Sequence, residues 1–225
     1  MKKNIVFLGI VMILGCVNKD KQIENGLLSN SKQNQDQIFS IDYDVSKWGE
    51  ITEEDGVILD IRYAGQNNFT GKQIYPCGRC FLRPELADRI KTLQKDINKR
   101  YGMGLKLFDC YRPRPAQQKL WDIVPNEDYV THPDKGSMHN RGLAIDITLV
   151  DSNGKELDMG TDFDFFGREA HTDNMDLEEE VLRNRKILKE LMELHGLKGI
   201  RTEWWHYSLK SVQAPLDSWE WPCNL

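Results

Sequence analysis

The sequence lacks several features that would mark a specialised class of protein. It has no excess of positive charge, since 30 lysines and arginines stand against 35 aspartates and glutamates. A basic surface for nucleic acid is therefore not expected. It has no internal repeat, and beyond its first residues it has no long apolar run. The chain of 225 residues is long enough for one ordinary globular domain with its own core.

The one marked apolar run lies at the N-terminus. Two lysines precede an apolar stretch over residues 5–14, which is too short to cross a bilayer and has the features of an export signal. Cys16 follows Gly15, as the acylated cysteine does in a bacterial lipobox. The alternative is an uncleaved anchor with an incidental cysteine. We expect a signal peptide over residues 1–15 and a lipid on Cys16.

The next segment, over residues 17–37, is rich in Lys, Asn, Gln, Asp and Ser and poor in apolar residues. It cannot bury enough surface to offset its ordering entropy. The predicted organisation is a signal peptide, a flexible tether over residues 16–37 and a folded domain over residues 38–225. This domain would be exported and held on a membrane, facing the periplasm or another extracytoplasmic space, where disulfides are permitted.

Cysteine is scarce, with five in the whole chain. Cys77 and Cys80 form a Cys-x-x-Cys pair, but no second pair accompanies it, so a redox or zinc-knuckle motif is disfavoured. The four cysteines after Cys16 allow three disulfide pairings. Cys77–Cys80 with Cys110–Cys223 is the local possibility, and the sequence does not choose among the three.

The most informative motif is the segment 137–146, which leads into a run of β-type residues. Because alternate side chains of a strand face opposite sides, Asp146 and its small neighbours face away from the apolar residues of the run. A buried carboxylate is costly unless it is paired or binds a metal. His139 precedes the strand and Gly142 lets the chain fold back, so both groups can bind one ion. The alternative is a hydrogen-bonded His–Asp pair.

A second motif, Glu203-Trp204-Trp205-His206, supplies another imidazole and another carboxylate late in the chain. Two histidines and an aspartate, with a glutamate that does not bind the metal, make up the donor set of a hydrolytic zinc centre. A spacing of three does not place Glu203 and His206 on one face of a regular strand. A bend or short loop is therefore predicted between them.

These motifs resemble those of the zinc D-alanyl-D-alanine dipeptidases of the VanX type. Three more segments look like family segments and follow the family's order, namely residues 63–71, 109–113 and 159–165. The resemblance covers the chain from Ile51 to its end. It implies an α+β fold, a small antiparallel sheet with packed helices as in the Hedgehog-like zinc peptidases. It also implies one zinc ion per chain and hydrolysis of the D-alanyl-D-alanine dipeptide.

The resemblance also implies roles for the residues of the reaction. His139, Asp146 and His206 would bind zinc, and Glu203 would be the general base that takes a proton from water. Arg112 would stabilise the oxyanion that forms on the substrate carbonyl. The alternative for Arg112 is a structural salt bridge, for example with Asp109.

A free dipeptide has a charge at each end, and the resemblance implies a partner for each. Asp164, with Tyr63 nearby, matches the positions that receive the ammonium, and Ser137 matches one that hydrogen-bonds the carboxylate. Asp164 could instead be an ordinary turn residue. A carboxylate that pairs with the ammonium would exclude longer peptides.

Two other functions compete with this interpretation. One is a D,D-carboxypeptidase or endopeptidase that acts on peptidoglycan stem peptides, and the other is a zinc-binding lipoprotein without catalysis. An exported enzyme cannot reach a cytoplasmic dipeptide pool. The sequence therefore predicts a role in wall turnover or dipeptide use and not in glycopeptide resistance.

Apolar spacing and capping residues predict the main elements of the domain. Pro84 begins a helix with an apolar face from Leu86 to Tyr101, and Gly102 ends it. Asp176 is expected to cap a later helix that Gly196 ends. The other expected elements are a strand over residues 105–111, a helix over residues 115–123 and a closing strand over residues 200–209.

Overall fold

The computed structural model describes residues 41–223, so the predicted signal peptide, the tether and Cys16 lie outside the described part. No helix within residues 41–223 is both long enough and apolar enough to cross a membrane. The elements in chain order are β1 (Gly49–Ile51), β2 (Ile58–Leu59), β3 (Cys80–Leu82), α1 (Pro84–Tyr101), β4 (Gly104–Asp109), α2 (Arg114–Ile123), β5 (Ala144–Val150), α3 (Glu179–Leu194), β6 (Lys198–Gly199) and β7 (His206–Ser208).

The fold is α+β, as predicted, and is built on a five-stranded sheet in the order β2-β4-β5-β7-β6. The pairs β4–β5, β5–β7 and β6–β7 are antiparallel, whereas β2 pairs parallel with β4. Strands β1 and β3 form a separate antiparallel pair. Every residue of the central strand β5 is buried. The charged side chain of Asp146 on this strand must therefore find its partners inside the protein.

Helix α1 agrees with its sequence pattern. Pro84 occupies the first turn, where its missing N–H costs nothing, and Gly102 ends the helix in the left-handed conformation at φ 63°. Leu86 and Ile90 are fully buried on its inner face. Tyr101, which the spacing placed on that face, is 50% exposed, because the last turn extends beyond the core.

Two boundary predictions were wrong. Helix α3 begins after Glu178 and not at an Asp176 cap. The backbone N–H of Asp176 instead donates to Asn174 Oδ1 at 3.2 Å, which closes a separate turn before the helix. The closing strand is also shorter than expected, because residues 200–205 bend away from the ladder between β6 and β7.

The disulfides are Cys77–Cys223 and Cys80–Cys110, so the local pairing of Cys77 with Cys80 was wrong. The Tyr111 backbone N–H donates to the carbonyl oxygen of Phe81 at 2.8 Å. This bond brings β3 alongside the segment that follows β4, and Cys80 thereby faces Cys110. The pairing depends on tertiary contacts that the spacing of cysteines in the sequence does not reveal.

Candidate active site

The register of the sheet brings three acidic or imidazole side chains together. Asp146 on β5 lies directly opposite His206 on β7 and Asp109 on β4. Directly opposite residues face the same side of a sheet, so these side chains project from one face. His139 reaches the same place from a short 3-10 helix, His139–Arg141, immediately before β5.

The turn between His139 and β5 depends on Gly142. This residue has a φ of 68°, a left-handed conformation that residues with a Cβ atom disfavour. A Cβ atom there would lie 2.6 Å from Cζ3 of Trp48 and 3.3 Å from the backbone nitrogen of Arg83. Both the conformation and the close packing therefore require glycine, and together they fold His139 back towards Asp146.

The three predicted metal ligands form a compact triangle of donor atoms. Nε2 of His139 lies 3.0 Å from Nδ1 of His206 and 3.3 Å from Oδ1 of Asp146. Nδ1 of His206 lies 3.1 Å from the same Asp146 oxygen. Two ligands of a tetrahedral zinc ion, bound at about 2.0–2.1 Å, are separated by about 3.3 Å. The donor types and their spacing therefore fit zinc.

The surroundings of the triangle orient His139 and favour positive charge. Nδ1 of His139 donates to the carbonyl oxygen of Cys110 at 2.7 Å, which leaves Nε2 facing the triangle as a ligand requires. Burial lowers the pKa of His139, but the Asp146 carboxylate outweighs it and the net shift is upward. Burial opposes the ionisation of Asp146, yet the two imidazoles hold its pKa below the usual value.

Glu203 lies in the bent segment just before β7, which confirms the predicted break in the strand. Its Oε2 is 3.8 Å from Nδ1 of His206, and its side chain is 22% exposed. Burial raises the pKa of Glu203 to about 7. A carboxylate with a pKa near neutral pH is suited to exchanging protons with water.

Arg112 forms a salt bridge with Asp109, which was the alternative to a catalytic role in the sequence analysis. Its side chain also faces the cavity. Its Nε and Nη2 donate to Asp109 Oδ2 at 3.0 and 2.6 Å, and its Nη1 donates to Gln117 Oε1 at 3.0 Å. Tyr75 donates its hydroxyl to the other Asp109 oxygen at 2.7 Å. These contacts of Arg112 use three of its five N–H donors, and the side chain lines the cavity above the triangle.

The sequence pattern did not indicate three residues that support this site. Gln117 is fully buried, and its amide nitrogen donates to the carbonyl oxygen of Thr131 at 2.7 Å. The position of Gln117 on the inner face of α2 could have indicated its role from the sequence. No feature of the sequence indicated a role for Tyr75. Asn140, which the motif left free, donates to the carbonyl oxygen of Arg112 at 2.8 Å.

The cavity has a volume of about 290 Å³ and also contains the residues predicted to contact substrate. The Tyr63 hydroxyl donates to Asp164 Oδ2 at 2.8 Å. Asp164 has a φ of 60°, a left-handed conformation that aspartate tolerates better than most residues. Burial and the nearby Asp146 carboxylate raise the pKa of Asp164 to about 8. Ser137 lines the same cavity.

Comparison with known proteins identifies the class of enzyme. Residues 52–220 match the Peptidase M15 family, described as D-Ala-D-Ala dipeptidase. The chain belongs to this family of peptidases. The triangle, Glu203 and Asp164 all lie within the matched residues. The predicted fold and family are therefore confirmed.

Named relatives agree with the family. The chain is 38% identical over 168 residues to a D-alanyl-D-alanine dipeptidase of Escherichia coli K12, which covers 73% of this chain and 86% of the relative. It is 32% identical over 188 residues to one of Enterococcus faecium, covering 74% and 93%. A solved structure of the LdcB LD-carboxypeptidase has a TM-score of 0.38 and 24% identity and covers 58% of this chain and 61% of that one. This is a partial structural likeness only.

The Asp109–Arg112 ion pair predicts a large loss of stability when it is broken. Asp109→Ala would leave Arg112 buried without its carboxylate, so the free energy of unfolding should fall by about 3–5 kcal/mol. Urea unfolding measures this loss. Glu85→Ala is the control, since Glu85 pairs with Arg89 on an exposed helix surface and should cost less than about 1 kcal/mol. Equal losses would contradict the structural role of the Asp109–Arg112 pair.

Proposed function

We propose that the protein hydrolyses the D-alanyl-D-alanine dipeptide with one zinc ion held by His139, Asp146 and His206. The observation that carries the proposal is the convergence of these three donor atoms in the cavity that also holds Asp164. The family of named dipeptidases supports the choice of substrate.

A bound zinc ion would make water a nucleophile at neutral pH, because coordination lowers the pKa of water towards about 7. Glu203 would accept the proton of the attacking water and deliver it to the leaving amine as the peptide bond breaks. Its position beside His206, its partial exposure and its raised pKa support this role. The triangle already supplies three protein ligands, so Glu203 remains available for proton transfer.

Arg112 would donate to the substrate carbonyl oxygen as negative charge develops on it. A fixed donor is most effective when it needs no rearrangement during the reaction. Asp109 and Gln117 hold the guanidinium in place from two directions, while its remaining N–H groups are available to the substrate. The salt bridge and the catalytic role are thus compatible, since the first would position the group for the second.

Asp164 and Tyr63 would bind the substrate ammonium, and Ser137 would hydrogen-bond its carboxylate. Asp164 is partly buried and accepts a bond from Tyr63, so an ammonium beside it would compensate for the cost of ionising this carboxylate. An internal peptide nitrogen carries no charge and gives no such compensation. This difference favours a free dipeptide over the stem peptides of a carboxypeptidase or endopeptidase.

The proposed base predicts a loss of rate without a loss of metal. Glu203→Gln should retain one zinc ion per chain, measured by elemental analysis, while kcat for D-Ala-D-Ala falls roughly 100- to 10,000-fold. Glu190→Gln, on the exposed surface of α3, should keep the wild-type rate. A chelator should abolish wild-type activity and zinc should restore it. Hydrolysis that persists without metal would exclude the zinc mechanism, and an unimpaired Glu203→Gln would favour a different base.

The proposed ammonium site predicts a change in specificity. Asp164→Asn removes the charge that pairs with the ammonium, so kcat/KM for D-Ala-D-Ala should fall about 10- to 100-fold. N-acetyl-D-Ala-D-Ala should be a poor substrate of both proteins. Asp162→Asn, an exposed change in the same loop, is the control. If the wild type cleaves acetylated or longer peptides as fast as the dipeptide, the carboxypeptidase or endopeptidase alternative is preferred.

We also propose that Cys16 is lipidated and holds the enzyme on a membrane outside the cytoplasm, where it would act in peptidoglycan turnover or dipeptide use. The short apolar run that ends at Gly15-Cys16 supports this location. In a bacterial host, the wild type should incorporate labelled fatty acid and sediment with membranes. Cys16→Ser should do neither, and a soluble, unlabelled wild type would refute the proposal.

A further inference from the structure

The Cys80–Cys110 disulfide includes a residue, Cys110, whose backbone contacts the candidate metal site. Cys110 lies between Asp109 and Arg112, and its own carbonyl oxygen accepts the 2.7 Å hydrogen bond from Nδ1 of His139. Its backbone N–H donates to Asp109 Oδ1 at 3.0 Å. The position of this single residue therefore affects the orientation of a ligand and the position of the carboxylate that holds Arg112.

The segment that carries Cys110 has little support from the sheet. Strand β4 ends at Asp109, after a register shift between Leu107 and Asp109. Beyond it, the backbone N–H of Tyr111 bonds to β3, and that of Arg112 donates to the carbonyl oxygen of His139 at 3.1 Å. The covalent link to Cys80, which is fully buried in β3, replaces the missing sheet contacts at Cys110.

We propose that the Cys80–Cys110 disulfide positions the metal site, so that the chain reaches its full zinc affinity only after this bridge has formed. The inference rests on the proposed function for the identity of the metal. The bridge acts on His139 through the Cys110 carbonyl group, whose hydrogen bond fixes the ring. Removing such an outer partner of a ligating histidine commonly weakens metal binding about 10- to 100-fold.

Formation of the bridge requires an oxidant. The thiols of Cys80 and Cys110 together give up two electrons and two protons, and the S–S bond forms between them. A disulfide-containing oxidant accepts both electrons and both protons and is reduced to two thiols. An oxidising, extracytoplasmic compartment provides such oxidants, which would link the maturation of the site to the export proposed above.

The second disulfide provides a matched control. Cys77 and Cys223 lie in loops outside the strands that carry the ligands. Their bridge spans 146 residues of sequence, compared with 30 for Cys80–Cys110. By loop entropy it should contribute at least as much to stability as the other bridge. A loss of zinc affinity caused by general destabilisation would therefore appear in both variants.

The test compares zinc dissociation constants, measured by competition with a chromogenic chelator, for three proteins at a temperature where all are folded. Cys80→Ala/Cys110→Ala keeps the Cys110 carbonyl group but frees its segment, so it should bind zinc more weakly than the wild type, by up to the roughly 10- to 100-fold that loss of an outer partner causes. Cys77→Ala/Cys223→Ala should bind zinc within about twofold of the wild type. Both variants keep every backbone atom, and each loses one covalent link and two sulfur atoms. If the first variant fails to fold, Cys80→Val/Cys110→Ala restores much of the lost volume and replaces it.

The outcomes separate the two proposals. Wild-type protein that binds no zinc would overturn the proposed function, and this inference with it. Equal zinc affinity in all three proteins would overturn the inference alone. Equal weakening in both disulfide variants would also overturn it, because the effect would then reflect general stability and not the contact between Cys110 and His139.

Discussion

The carboxylate of Asp146, buried on the central strand of the sheet, is the constraint on which the site depends. An isolated charge in such a place is very unfavourable, and the structure compensates it with two imidazole nitrogens at 3.1 and 3.3 Å. One is supplied by the register between β5 and β7. The other is supplied by the turn at Gly142, which brings His139 back over the strand.

A second buried carboxylate, that of Asp109, lies beside the triangle and holds Arg112. Asp109 accepts bonds from Tyr75 and Arg112, and it lies opposite Asp146 in the sheet. The two aspartates thus have different roles on this face of the sheet. Asp146 contacts the two imidazoles of the candidate metal site, and Asp109 holds the Arg112 guanidinium in place. The backbone between Asp109 and Arg112 connects these groups, since the Cys110 carbonyl group orients His139.

Much of the site could be predicted from the sequence because its signals are local. His139, Gly142 and Asp146 fall within eight residues, and the spacing of Glu203 and His206 required the bend that the structure contains. The disulfide pairing, the start of α3 and the support from Tyr75 were not predictable in this way. Each depends on which segments pack together, and a short stretch of sequence does not reveal those contacts.

Crystals grown with zinc test the metal site most directly, because anomalous scattering measured above and below the zinc absorption edge locates the ion. We expect one strong peak bound by Nε2 of His139, Nδ1 of His206 and Oδ1 of Asp146 at about 2.0–2.2 Å. The absence of a peak at these atoms under saturating zinc, or a strong peak at other residues alone, would contradict the proposed metal site.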